Sequence, residues 1–134
     1  MIQADLAWEQ PIRNLIKFER YIETLPATDI VVLPEMFSTG FTMNAAAFAE
    51  DMDGPAVAWM KDMSISHSAA ICGSLIIKEN ENYFNRFLFV LEDRIIGQYD
   101  KRHLFRMGGE NDHYTKGERR VIVKYKGWRI IPQI

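Results

Sequence analysis

The sequence predicts a layered α/β domain, because strand-like and helix-like segments alternate in its first half and strand-like segments follow one another in its second half. Of its 134 residues, 48% are hydrophobic and 25% are charged, which is ordinary for a soluble globular protein. No internal repeat or low-complexity tract interrupts this pattern. We therefore expect residues 1–134 to form one domain or part of one.

The first half of the chain is predicted to fold as strand, helix, strand and helix. Residues 2–6 read as a short strand, and a helix is expected to begin at Pro11. Residues 30–33 form a β-branched apolar run, which is typical of a strand covered on both faces. A second helix is expected near Pro55, with Asp53 as its cap. The inward faces predicted from helical spacing are Ile12, Leu15, Ile16, Ile22 and Leu25 in the first helix and Ala56, Trp59, Met60 and Met63 in the second.

The second half of the chain is predicted to be mostly β-structure. Its strand-like runs, each bounded by turn residues, cover residues 69–77, 83–91, 94–99, 121–124 and 128–131. The last two runs flank Lys126 and Gly127, which suits a hairpin turn. The sequence ends at Ile134, inside an apolar run that nothing caps, so we expect it to be cut within a strand.

Charge and cysteine content argue against several classes of function. Sixteen Lys and Arg against eighteen Asp and Glu give a net charge of −2, whereas duplex binding normally needs a basic excess, so no nucleic-acid partner is expected. The densest basic stretch, Lys124 to Arg129, is expected to be a solvated turn. A single cysteine rules out an internal disulfide. With no signal peptide and no apolar run near the about 20 residues of a membrane span, we expect a cytoplasmic protein without a membrane partner.

Three charged residues stand where chemistry is expected. Glu35 and Lys101 each follow a predicted strand, and reactive groups gather at the carboxyl edge of α/β sheets. A half-buried carboxylate there could serve as a general acid and base, and a fixed ammonium could stabilise an oxyanion. Glu110, in a glycine-containing loop, could fold back as the partner that a buried ammonium needs. Considered one at a time, a charged residue in any of these three positions is more often an ordinary surface or strand-edge charge than a catalytic group.

Two other groups of residues are predicted not to be reactive. Cys72 lies within an apolar strand, where burial suppresses the thiolate, so we expect a structural role. A metal site is not expected, because the candidate ligands match no zinc spacing; they are His103, Glu110, Asp112 and His113.

Together, the segments resemble the nitrilase, or carbon–nitrogen hydrolase, superfamily, in particular its omega-amidase-like branch. Each motif is weak alone, but all occur in family order along the whole chain. The resemblance rests on Leu33–Phe41, Ile71–Ser74, Asn85–Leu88, Tyr99–Met107 and Gly127–Pro132.

The resemblance implies an αββα four-layer sandwich of the nitrilase type, with residues 1–134 as the N-terminal part of a single domain. It also implies a Glu–Lys–Cys triad in which Glu35 is the general base, Lys101 stabilises the oxyanion and Glu110 is the supporting second glutamate. The nucleophilic cysteine would follow Ile134, so this chain alone would be inactive. The implied reaction is hydrolysis of a terminal amide of a short 2-oxo dicarboxylic acid through a thioester, without a cofactor, by a homodimer.

Two further classes of function stay open at this point. A non-catalytic binding module on the same scaffold would keep these residues without a nucleophile. A metal-dependent hydrolase would use the histidine-containing segment after Lys101. The coding sequence beyond Ile134 distinguishes the first from an amidase, and metal analysis of the purified protein tests the second.

Overall fold

The computed structural model describes all 134 residues, and its centre is a four-stranded sheet in the order β1-β2-β3-β4. The strands of this sheet are β1 (Ile30–Val32), β2 (Ala70–Glu79), β3 (Asn82–Leu91) and β4 (Arg94–Asp100), and a separate hairpin consists of β5 (Val123–Tyr125) and β6 (Trp128–Ile130). The helices are α1 (Pro11–Glu23), α2 (Ala45–Phe48), α3 (Pro55–His67) and α4 (Glu110–His113), with a 3-10 turn at Arg106–Gly108. The predicted α/β class is confirmed.

The sheet is mixed, and three of its strands end at the same edge. β1 pairs with β2 in parallel, whereas β2, β3 and β4 form an antiparallel meander. The two meander turns contain Asn80 and Glu92, both with positive φ. Because β4 is antiparallel to β3, it runs in the same direction as β1 and β2. The carboxyl ends of β1, β2 and β4 therefore lie together.

The two faces of the sheet are covered differently. On one face, which we call the helix face, side chains of β2 and β3 pack against α1 and α3 in the larger core cluster. On the other, the hairpin face, Cys72, Phe87, Phe89 and Tyr99 pack against the β5–β6 hairpin. Gly97 permits this approach, because a Cβ there would lie 2.3 Å from Val123 Cγ2.

Most predicted strands are confirmed, with one exception. The hairpin turn lies at Lys126 and Gly127, both with positive φ, as a two-residue turn between antiparallel strands requires. The predicted strand at residues 2–6 is wrong. That segment donates one backbone hydrogen bond, from Ile2 N to Val32 O at 2.8 Å, and forms no ladder with β1.

The predicted face of α1 is partly wrong. Ile12 is 75% exposed and Ile16 is exposed too, whereas Asn14, Phe18 and Ile22 are buried at four-residue spacing. Asn14 belongs to the inward face because its amide bonds to the backbone of Ala7 and Ser38, a role that a search for apolar residues misses.

The predicted face of α3 is largely confirmed, but its cap is not. Ala56, Met60 and Met63 are buried. Asp53 does not cap the helix; the carboxylate of Glu50 instead accepts hydrogen bonds from the first-turn N–H groups of Ala56 and Val57, at 3.0 Å each. None of the helices combines the length and the apolar character that crossing a membrane requires.

Candidate active site

Charged side chains from separate segments meet on the hairpin face, where β1, β2 and β4 end. Glu35 follows β1, Lys101 follows β4, and Asn85 lies near the start of the antiparallel strand β3. Lys101 N donates to Asn85 O at 3.0 Å, which places these two residues side by side. The sequence prediction that Glu35 and Lys101 reach one edge of the sheet is confirmed.

A tight turn after β1 positions Glu35. Met36 has a φ of +46°, a conformation that costs a non-glycine residue about 1–2 kcal/mol. The turn is held by β2, since Met36 N donates to Ser74 Oγ at 2.9 Å and Phe37 N donates to Ser74 O at 3.2 Å. Gly73 leaves room for the Phe37 ring, because a Cβ there would lie 2.9 Å from it.

Lys101 is a buried ammonium held between two carboxylates. Its side chain is 7% exposed, and Nζ lies 2.7 Å from Glu35 Oε1 and 3.0 Å from Glu110 Oε2. Burial by itself would lower the pKa of Lys101, but hydrogen bonds and charge attraction from Glu35 and Glu110 outweigh it, so the pKa is raised above its ordinary value. The lysine is therefore a permanent cation in this site at neutral pH.

Glu110 is the second carboxylate, and it is completely buried. Its Oε2 accepts a hydrogen bond from Phe105 N at 2.6 Å in addition to the contact with Lys101. The prediction that Glu110 folds back onto Lys101 is confirmed. The prediction that it lies in a loop needs correction, because Glu110 is the first residue of the short helix α4.

Asn85 is the site residue that the sequence analysis did not single out. Its Nδ2 donates to Glu35 Oε1 at 2.7 Å and to Glu110 Oε1 at 3.1 Å, so it connects the two carboxylates. Its Oδ1 is buried without a partner, and such an unsatisfied group costs about 1–3 kcal/mol. A weak sequence signal existed, since Asn85 and Arg86 interrupt the aromatic and apolar run of residues 83–91, and both are buried.

Aromatic rings border the charged cluster on one side. The Phe41 ring centroid lies 4.8 Å from Lys101 Nζ, close enough for a cation–π interaction. Phe105, which is half exposed, packs against Phe41 with ring centroids 6.4 Å apart. The site therefore has an apolar wall beside its ions.

The arrangement leaves one carboxylate oxygen available. Both hydrogen bonds to the Glu35 carboxylate end on Oε1, from Lys101 and from Asn85. The Glu35 side chain is 36% exposed, whereas those of Lys101 and Glu110 are buried. Oε2 of Glu35 can therefore accept a proton from a group that enters the site.

Cys72 is not part of this cluster. It pairs with Phe89, four residues along β2 from the Ile76–Asn85 pair, which corresponds to about 13 Å along a strand. Burial raises the pKa of the Cys72 thiol to about 12, so almost no thiolate exists at neutral pH. The structure thus places the only thiol in the core of the hairpin face.

The remaining candidates do not assemble. No three His, Cys, Asp or Glu side chains converge as metal ligands, and His103, Asp112 and His113 lie exposed near α4. A wide groove along α1 contains neither Glu35 nor Lys101. The hydrogen-bonded charges, and not the groove along α1, therefore mark the candidate site.

Comparison with known proteins gives a consistent result. The carbon–nitrogen hydrolase family matches residues 1–130. The omega-amidase YafV of Yersinia enterocolitica is 42% identical over 134 residues, which is 100% of this chain and 52% of the relative. The 2-oxoglutaramate amidase of Bacillus subtilis is 31% identical over 120 residues, which is 87% of this chain and 46% of the relative. The chain thus spans about half the length of these relatives.

The fold agrees with solved structures. A carbon–nitrogen hydrolase superfamily protein from Xanthomonas campestris, with an arsenic adduct in its active site, superposes with a TM-score of 0.94 at 42% identity. The match covers 99% of this chain and 51% of that protein. The architecture described above therefore matches about half of the chain of a nitrilase-superfamily protein.

Proposed function

This chain belongs to the carbon–nitrogen hydrolase family, and on that premise we propose that it forms the N-terminal part of a single amidase domain. In this proposal Glu35 is the general base, Lys101 stabilises the oxyanion and Glu110 supports the lysine. The nucleophilic cysteine comes from residues after Ile134. The contact that carries the proposal is the 2.7 Å pair of Lys101 Nζ and Glu35 Oε1, which leaves Oε2 of the same carboxylate uncommitted.

The proposed reaction begins with proton transfer to Glu35. Oε2 takes the thiol proton, the thiolate attacks the amide carbon, and the carbonyl oxygen becomes an oxyanion. Glu35 then passes its proton to the departing nitrogen, so ammonia leaves and a thioester remains. A water molecule activated by Glu35 hydrolyses the thioester, which releases the acid and restores the thiol. The proton that leaves with ammonia is replaced by one from this water molecule, so Glu35 and the thiol regain their starting protonation states, and no cofactor takes part.

Lys101 suits the proposed oxyanion role because of its contacts. An ammonium carries three N–H donors, and two are directed at Glu35 and Glu110. One donor stays available for a developing negative charge. A preorganised donor of this kind is worth about 3 kcal/mol of transition-state stabilisation. Its raised pKa keeps Lys101 charged throughout the working pH range, so this stabilisation does not depend on titration of the lysine.

The proposed substrate follows from the relatives. An omega-amidase and a 2-oxoglutaramate amidase are among the similar proteins. We therefore propose a terminal carboxamide of a short 2-oxo dicarboxylic acid as the substrate. The aromatic wall of Phe41 and Phe105 is compatible with a short acyl chain beside the ions. From the family resemblance we also propose a homodimer, and from the sequence a cytoplasmic location.

The direct test uses the full-length protein, purified and supplied with 2-oxoglutaramate. The expected result is steady release of ammonia together with 2-oxoglutarate in equal amounts. A protein in which the cysteine after Ile134 is replaced by alanine is the matched control and should release none. If the full-length protein binds such amides but releases no ammonia from any of them, a non-catalytic binding module is the better description.

A further inference from the structure

The proposed chemistry does not explain the hydrogen bonds that the buried Asn85 side chain makes in the site. Asn85 is fully buried on β3, and its one NH₂ group donates to both carboxylates of the site. Both N–H donors of its amide are used by these carboxylates, and because an amide does not titrate at working pH it exchanges no proton.

The orientation of the Asn85 amide is dictated by its neighbours. Glu35 Oε1 and Glu110 Oε1 are both acceptors, so only the NH₂ end can face them. The reverse orientation would place three acceptor oxygens together. The carboxylates thus fix the amide, and the amide in turn fixes the carboxylates.

The consequence concerns the two oxygens of Glu35. Lys101 Nζ and Asn85 Nδ2 both lie 2.7 Å from Oε1, and this pair of donors defines the rotation of the carboxylate. With the lysine alone, the plane of the carboxylate could turn about its bond to the chain. With both donors present, that plane is fixed, one oxygen is held by the two donors and the other has no hydrogen-bond partner.

We propose that Asn85 is a positioning residue that fixes the plane of the Glu35 carboxylate, by holding one oxygen jointly with Lys101 so that the other stays free to act as the base. It also connects Glu35 to Glu110, so that the two carboxylates and the ammonium form one rigid unit. This inference rests on the proposed amidase function, because it assigns a role to the base of that reaction.

The test compares matched substitutions in the full-length protein. Asn85→Leu keeps the branching and the number of side-chain heavy atoms and removes both hydrogen bonds to the carboxylates, and Asn85→Ser retains a single short donor. Asn14→Leu is the control, because Asn14 is also fully buried but bonds only to the backbone of Ala7 and Ser38. The measurements are kcat and KM for 2-oxoglutaramate as a function of pH, and the Tm of each protein.

For Asn85→Leu we expect kcat to fall by about tenfold to a hundredfold, the penalty for a misplaced reactive group, with KM little changed. The acidic limb of the pH profile should move to higher pH, because the ionised carboxylate has lost a donor and is protonated more easily. Asn85→Ser should show the same changes to a smaller extent. Asn14→Leu should lower Tm and leave the shape and position of the pH profile unchanged.

Two results would overturn the inference, and they are distinguishable. If wild type releases ammonia and both Asn85 variants keep its kcat and acidic limb, Asn85 has no positioning role, whatever their Tm. If the wild-type protein itself is inactive on every short amide, the proposed function fails. Glu35 would then have no role as a base, and Asn85 would have no base to orient.

Discussion

Two buried cations lie on opposite faces of the same sheet, and each has two carboxylate partners. Lys101 contacts Glu35 and Glu110 on the hairpin face. Arg86, the neighbour of Asn85 in β3, contacts Glu79 and Asp100, both at 2.6 Å. Charge, burial and distance are similar, so none of these properties alone distinguishes a reactive site from a structural ion network.

The two clusters differ in how their donors and acceptors are used. Arg86 directs Nε, Nη1 and Nη2 at its two partners, and all three residues belong to adjacent strands of the meander. Lys101 instead joins segments that are far apart in sequence, including Glu35 at a separation of 66 residues. Each cluster leaves one carboxylate oxygen without a hydrogen-bond partner, Oε2 of Glu35 and Oε1 of Glu79, so a free oxygen does not separate them. The comparison teaches that a buried charge joining segments distant in sequence, more than a buried charge alone, identifies a candidate for catalysis.

The largest expected effect separates the two clusters directly. Replacing Glu35 by Gln in the full-length protein should lower the acylation rate by about a hundred- to ten-thousand-fold, because the amide cannot accept the thiol proton. The matched control is Glu79→Gln, which makes the same carboxylate-to-amide change in the Arg86 cluster. Rapid-quench measurement of thioester formation is the readout, and Glu79→Gln should retain the wild-type rate.

The comparison would be broken if both Gln variants lost acylation to the same degree. The two clusters would then share a structural function, and the place of Glu35 where distant segments meet would have no special meaning. A Glu35→Gln protein with near-normal acylation would likewise remove Glu35 from the role of base.

A smaller effect is expected for Arg86→Met, and it should appear in stability. Removing one member of a buried ion pair typically costs about 3–5 kcal/mol, since the remaining charge loses its partner. Asp100 and Glu79 are 22% and 52% exposed, so water can solvate them and the cost should lie at the lower end of that range. Urea unfolding measures the loss, and the kcat of the folded protein should stay close to wild type. A large fall in kcat with unchanged stability would contradict the structural assignment.

The strands and the main site contacts were predictable because their causes are local. Apolar β-branched runs such as residues 30–33 become buried strands. Glu35 and Lys101 were identified as candidates because each is a charged residue that follows a predicted strand. That these two side chains meet follows from a general property of sheets, since strands running in the same direction end at the same edge. The partner role of Glu110 followed from the cost of burying an ammonium alone.

The incorrect predictions involve polar groups whose partners are distant or unexpected. Asn14 occupies the inward face of α1, and Glu50 rather than Asp53 caps α3 from outside the helix. Residues 2–6 look like a strand but make a single backbone hydrogen bond to β1. Asn85 was missed because its partners lie 50 and 25 residues away, and no local pattern shows that two carboxylates converge on it.

The most direct test of the central claim locates the covalent intermediate. The full-length protein is mixed with 2-oxoglutaramate and quenched with acid, and peptide mass spectrometry identifies the cysteine that carries the acyl group. We expect a thioester on a cysteine that follows Ile134 and none in the Glu35→Gln protein. Cys72 should be unmodified, because its pKa of about 12 leaves almost no thiolate. A thioester on Cys72, or one that forms equally without the Glu35 carboxylate, would contradict the account.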